Sequence, residues 1–199
     1  SGGVIRRKSG PNGATTQGVG ISLTNTRSPS FRWMHLTDLE NSAVVLRDVA
    51  VSFQFADSRI AHAGNAAGEG GITFGLPSPG AVNGLQTGGA ATIRNAHLQE
   101  NFDHAVAFYS QSGATTLQVD RTTPGECFLG RIDTGEPGAY GLYVLLEGAG
   151  TTSTVTVDGG SPTGNSGDTL HVDGSTAADT MVVDLAAGTI DPGAAANIT

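Results

Sequence analysis

A single cysteine, Cys127, stands among 199 residues, so no disulfide can close within the chain. Extracellular proteins can lack disulfides too, so this count assigns no compartment. Cys127 reads as a small buried filler beside Phe128 and Leu129, because no histidine near it in the sequence suggests an activated thiol. Basic residues are also scarce, with ten Lys and Arg against eighteen Asp and Glu and a net charge of −8. Holding a nucleic-acid backbone requires a basic surface that displaces counterions, so that class of partner is excluded. The one basic run, Arg6-Arg7-Lys8, reads as a solvated terminal segment. No apolar stretch approaches the length of a membrane-spanning helix, and no segment sustains a 3.6-residue period. Fixed-spacing catalytic motifs such as HExxH, a nucleophile elbow or a phosphate loop do not occur. The fragments Gly18-Val19-Gly20 and Gly148-Ala149-Gly150 lack the helix that phosphate binding needs and read as turns.

Glycine, in contrast, contributes 30 residues, and only 14% of the chain is charged. With abundant Ser, Thr and Ala, this composition points to a turn-rich all-β protein. The length suits one domain spanning residues 1–199. Four stretches share a pattern: 31–46 (FRWMHLTDLENSAVVL), 53–74 (FQFADSRIAHAGNAAGEGGITF), 91–108 (ATIRNAHLQENFDHAVAF) and 155–172 (VTVDGGSPTGNSGDTLHV). Each opens on an apolar strand, reaches a corner at His35, Asp57, Asn95 or Asp158, and passes a second turn at Asn41, Asn65, Asn101 or Asn165 before the next strand.

Strands of four or five residues cannot bury an apolar face alone, so such units must stack. Parallel stacking places equivalent residues about 4.8 Å apart, and about six turns would give a core roughly 30 Å long. Asn and Asp suit the corners because they tolerate left-handed backbone and bond their own main chain. Strands are expected at Val4-Ile5, at Val19, Ile21 and Leu23, around Phe31 to Leu36, at Val44 to Leu46 continuing to Phe55, and at Ile72 to Phe74. Later ones fall at Leu117-Val119, Leu142 to Leu146, Thr151 to Asp158 and Met181 to Leu185. Residues 76–89 and 122–139, rich in Pro and Gly, read as two loops extruded from corners. The sole tryptophan, Trp33, is expected to pack against the core. Beginning with Ser and not Met, the sequence reads as a processed or excised piece.

At GVGISLTNT (18–26), GNAAGEGGITF (64–74), ATIRNAHLQEN (91–101) and SPTGNSGDTLHV (161–172), the chain resembles the right-handed parallel β-helix segments of giant bacterial β-strand-repeat surface proteins, adhesin-like and autotransporter-like. The resemblance spans roughly residues 18–185. It implies a single-stranded solenoid of about six coils, outside the cell or on its surface. Its partners would be itself or further β-helix modules at the coil ends.

Two functions from different classes follow. One is a non-enzymatic structural or adhesive module that assembles end to end into filaments through its exposed strand edges. The other is a polysaccharide lyase or glycoside hydrolase of the pectate-lyase-like type, whose relatives use acidic clusters, Ca²⁺ and basic residues. Catalytic candidates are Asp57, Arg59 and His62, and Glu100 with Asp103 and His104. Stacked turns would set Asp57 beside Asn95 and bring His62 toward His97 or His104. A glycosidase needs two acids about 5 to 10 Å apart, and a Ca²⁺ site needs six to eight oxygens, for which Asp168 and Asp173 are candidates. No other cofactor is expected. A third reading is a carbohydrate-binding module using Trp33, Tyr109, Tyr140 or Tyr143 on an exposed face.

Overall fold

A computed structural model of the chain describes residues 2–76, 82–110, 113–120, 128–129, 140–146, 151–158, 170–174, 180–184 and 197–198. Among the described residues there is no helix. The strands in chain order are β1 (Val4–Lys8), β2 (Ile21–Thr24), β3 (Ser30–Arg32), β4 (His35–Leu39), β5 (Val44–Arg47) and β6 (Ser52–Ala56). They continue with β7 (Arg59–Ala63), β8 (Gly70–Phe74), β9 (Ala90–Arg94), β10 (His97–Gln99), β11 (His104–Ser110) and β12 (Ala114–Asp120). The remainder are β13 (Phe128–Leu129), β14 (Tyr140–Leu146), β15 (Thr152–Asp158), β16 (Leu170–Gly174), β17 (Thr180–Asp184) and β18 (Asn197–Ile198).

They form three sheets, ordered β1-β4-β7-β10-β13, β2-β5-β8-β11-β14-β16-β18 and β3-β6-β9-β12-β15-β17. Every strand pair within them is parallel. Through β15 the chain visits the first, second and third sheet in fixed rotation. This all-β arrangement is consistent with a parallel β-helix.

Register turns the sequence repeat into columns of like residues. On the first sheet Ile5, Leu36, Ile60 and Leu98 stand at equivalent positions. The second sheet aligns Leu23, Leu46, Phe74, Phe108 and Val144, and the third aligns Phe31, Phe55, Ile93 and Val119. All of these except Ile5, Leu23 and Phe31 are buried, and those three pack half-buried against the same cluster. Ring contacts run through the interior, Phe53 meeting Phe74 edge-on at 5.5 Å and Phe74 meeting Phe108 at 5.4 Å. Burying one such ring contributes about 1.5–3 kcal/mol, so the aligned columns carry the fold.

Several expectations are corrected. The stretch from Phe31 to Leu36 is two strands, because the chain turns at Trp33-Met34. The polar passages holding Ile60 and Leu98 are strands of the first sheet, each inserting an apolar side chain. The 76–89 segment is not wholly extruded: Leu85 is buried, forms a parallel bridge with Val49, and joins the main core. Residues 77–81 lie outside the described set. Within 122–139, Phe128 and Leu129 pair with His97 and Leu98 as a strand, and the rest, with Cys127, lies outside the described residues.

Candidate functional site

The turns that lead from the third sheet to the first are short and stack on one another. Trp33, Asp57 and Asn95 occupy equivalent places, just after the aligned Arg32, Ala56 and Arg94 and just before the aligned His35, Arg59 and His97. All three turn residues have left-handed backbone, with φ of 56°, 50° and 49°. Asp and Asn tolerate this conformation, but a bulky Trp there is uncommon and marks a position held by its surroundings. Backbone hydrogen bonds continue through the corner, from Trp33 N to Ala56 O, Asp57 N to Arg94 O and Asn95 N to Asp120 O. The expected juxtaposition of Asp57 and Asn95 is therefore present, and Asn95 Nδ2 donates to Asp57 Oδ1 at 2.8 Å. The corresponding corner residue one level away is Trp33; His35 begins β4 two positions later.

Beside this column runs the second one, His35, Arg59 and His97, each the first residue of its strand on the first sheet. Between the two lie Met34 and Ser58, the serine accepting from Met34 N and donating to Ala56 O. Together these residues line an open trough of about 500 Å³. Trp33 is 57% exposed on it, contrary to the expected core packing, and the Arg32 guanidinium sits 5.6 Å from its ring centre. Arg32 also pairs with Asp57 Oδ2 at 3.1 Å. The bond from Asn95 is the main cause holding the Asp57 carboxyl below its ordinary value; partial burial opposes this, and Arg32 and then Arg94 reinforce it.

The other catalytic candidates lie elsewhere. His62 does not approach His97 or His104; it stands in a column with Asp38 and Glu100 at the far end of the first sheet's strands. Its Nδ1 lies 3.4 Å from Asp38 Oδ1 and its Nε2 2.5 Å from Glu100 Oε2. Arg7, Asp38, His62 and Glu100 all have left-handed backbone, with φ between 53° and 55°. Glu100 is thus drawn away from Asp103 and His104.

His104 is fully buried, with Nε2 2.8 Å from Thr73 Oγ1 and Nδ1 3.4 Å from Asp103 Oδ2. Thr73 Oγ1 lies 3.1 Å from Ser42 Oγ, which in turn accepts from Gly70 N. A carboxylate, an imidazole and two hydroxyls in line resemble a nucleophile relay in composition. The imidazole and both hydroxyls are closed to solvent, so the line satisfies buried polar groups across neighbouring strands. Sequence reasoning missed Thr73 and Ser42 because hydroxyl residues in strands, or in the turns just before them, carry no distinguishing signal.

Asp57 and Asp103 do not share a site, and the trough holds one carboxylate, where a glycosidase needs two. Among the described residues no group of three or more His, Cys, Asp or Glu is placed to hold a metal ion. Of the Ca²⁺ candidates, Asp168 lies outside the described residues, and Asp173 is described only as a backbone position in β16 paired with Leu145. Tyr109 is buried and meets Tyr143 edge-on at 5.7 Å, so this pair forms part of a small cluster with Ala107 and Leu145. The side chain of Tyr140 lies outside the described set. No known family, curated protein or solved structure matches the chain.

Proposed function

We propose that the chain is a non-enzymatic structural or adhesive module of a bacterial cell-surface or extracellular protein. In this reading the three sheets are the faces of a right-handed parallel β-helix of about six coils, and further coils stack on its end. The observation that carries it is the coincidence of three open edges: β1, β2 and β3 each terminate their sheet, and they are consecutive in the chain. An edge strand presents unpaired N–H and C=O groups, a template for another strand.

The side chains at this end support the same reading. Ile5, Ile21, Leu23 and Phe31 are half-buried where their counterparts one level in are closed off, and Val4 is 63% exposed. A stacked coil would complete their burial at about 25 cal/mol per Å² of apolar surface covered. β1 carries Arg6, Arg7 and Lys8, all exposed, so its edge selects an acidic partner strand. A right-handed course agrees with the general preference of parallel crossover connections.

Small-angle scattering and negative-stain imaging over a concentration series test this directly. The expected result is elongated particles of about constant cross-section whose length grows with concentration. Scattering from a compact monomer at every concentration would remove the support for end stacking.

A further inference from the structure

We propose that the trough between the two stacked columns is a binding site for an anionic, carboxylate-bearing saccharide, held by Trp33, Asp57, Asn95 and Arg59. The proposal stands apart from end stacking, because the trough lies along the side of the first sheet.

The first observation is the tryptophan. A large aromatic residue in left-handed backbone at φ 56° and 57% exposed gains little from burial, and its conformation is unfavourable for a bulky side chain. Such a ring presents an apolar body and an N–H donor at the surface, the pairing that suits a sugar's C–H face and its hydroxyls. Acceptors lie one and two levels further along. Asp57 uses one oxygen toward Asn95 and the other toward Arg32, which fixes the carboxylate and leaves lone pairs for hydroxyl donors.

Charge supplies the second observation. Arg59 projects exposed from the start of β7 and, among the described residues, makes no side-chain hydrogen bond or ion pair, while Asp57 pairs with Arg32. Arg32 and Arg94 act on Asp57 from the neighbouring levels, and Arg59 lines the trough beside it, so basic side chains outnumber the trough's carboxylate on a chain of net charge −8. An unpaired guanidinium offers a planar fork that matches a carboxylate. His35 and His97 flank it on the adjoining strands. The net acidity of the protein opposes a polyphosphate more strongly than a saccharide carrying at most one carboxylate per sugar. Equivalent groups about 4.8 Å apart along the axis fit an extended chain better than a compact ligand.

Trp33 is the only tryptophan, so its fluorescence reports on this site alone. The full chain would be titrated with oligogalacturonate and with hyaluronan hexasaccharide, against cellohexaose, sodium acetate and sodium sulfate, with calorimetry in parallel. The expected result is a saturable fluorescence change with at least one acidic oligosaccharide that weakens as salt rises. Affinity for it should fall roughly tenfold in Arg59→Gln, as loss of one charge-assisted hydrogen bond predicts. Trp33→Ala, followed by calorimetry, should lose binding to a similar extent. Both side chains are exposed, and circular dichroism on each variant checks that the fold is intact. No saturable change with either acidic oligosaccharide, an equal response to cellohexaose or sulfate, or unaltered affinity in well-folded Arg59→Gln would each overturn the proposal.

Discussion

Asp57 shows how one corner residue is set by its neighbours on adjacent levels. Its carboxylate is stabilised chiefly by Asn95 above and also by Arg32 below, so it loses its proton more readily in the fold than in the unfolded chain. A depressed carboxyl pKa contributes stability above the unfolded value, about 3.9 for Asp, and this is lost as pH falls through the lower folded value. Replacing Asn95 with Ala should therefore raise the Asp57 titration midpoint toward the ordinary value, measured by carboxyl-carbon NMR. The stability cost at neutral pH should be about 1–2 kcal/mol, most of it from placing Ala in the left-handed backbone that Asn95 tolerates, since the hydrogen bond to the partly exposed Asp57 adds little. A midpoint unchanged in Asn95→Ala would assign the shift to the arginines instead. Buried Glu69 makes the opposite kind of contact. Its carboxylate accepts from Asn65 N and Ala66 N at 3.0 Å and from Gly13 N at 2.6 Å, tying the loop after β1 to the turn before β8. Glu69→Ala leaves these donors without their acceptor and should cost about 1–3 kcal/mol in denaturant unfolding. The pairing of Asp57 with Asn95 was legible in the sequence because both are corner formers at matching places in a repeat. The exposure of Trp33 was not, since an aromatic residue beside a Phe-containing strand reads as core. His62 was misplaced because a left-handed residue near the end of a strand turns its side chain to a column that alternation does not anticipate.

Among the strands, those of the second and third sheets announce themselves, and in the first sheet the Val4-Ile5 pair marks β1, whereas β7 and β10 do not announce themselves. VVLR, GITF and HAVAFYS bring apolar residues in runs, whereas HLQ contributes Leu98 alone and RIAHA depends on Ile60 with two alanines. Half-exposed three-residue strands fall below what periodicity can separate from a polar turn. Their assignment comes from the parallel partners on either side, which a linear reading does not contain. Close spacing between strands also fixes particular glycines. A Cβ on Gly71 would fall on the Ala105 carbonyl of neighbouring β11 and within 3.2 Å of Asn101 Nδ2. Gly68, at φ +81°, has open space around a Cβ, and its constraint is the backbone alone. Gly71→Ala should therefore cost about 1–3 kcal/mol through overpacking, shared between β8 and β11. Gly68→Ala should cost about 1–2 kcal/mol from its left-handed backbone. Hydrogen exchange separates the two: Gly71→Ala should speed exchange in β11, and Gly68→Ala should leave β11 protected. Equal protection of β11 in both variants would mean that the strands can part at no local cost.

In the proposed coil, contacts run between successive levels, and β1, β2 and β3 form the end at which further levels would add. If coils stack there, a charge on the interior side of the edge should stop them. Leu23→Lys and Phe31→Lys should abolish concentration-dependent elongation; because both side chains are partly buried against the core cluster, each should also destabilise the monomer by about 1–3 kcal/mol, and circular dichroism at the assay temperature checks that the variants are folded. Persistent elongation in both variants would mean that assembly uses another surface. The stacking logic was visible in the sequence as recurrence, and the number of sheets was not, because recurrence gives a period and leaves open how many sides each period folds into.

The left-handed column at the ends of the first sheet's strands has a further bearing on how such a chain can lengthen. Arg7, Asp38, His62 and Glu100 follow one another level by level, with the imidazole between two carboxylates. Copying one level in place would set Asp38 against a second aspartate, or Glu100 against a second glutamate, at a spacing of about 4.8 Å. Copying two adjacent levels, such as those of Asp38 and His62, repeats the alternation without bringing like charges together. Growth of this array by duplicating either carboxylate level alone is thus disfavoured, a constraint imposed by one line of side chains on an otherwise repeatable scaffold.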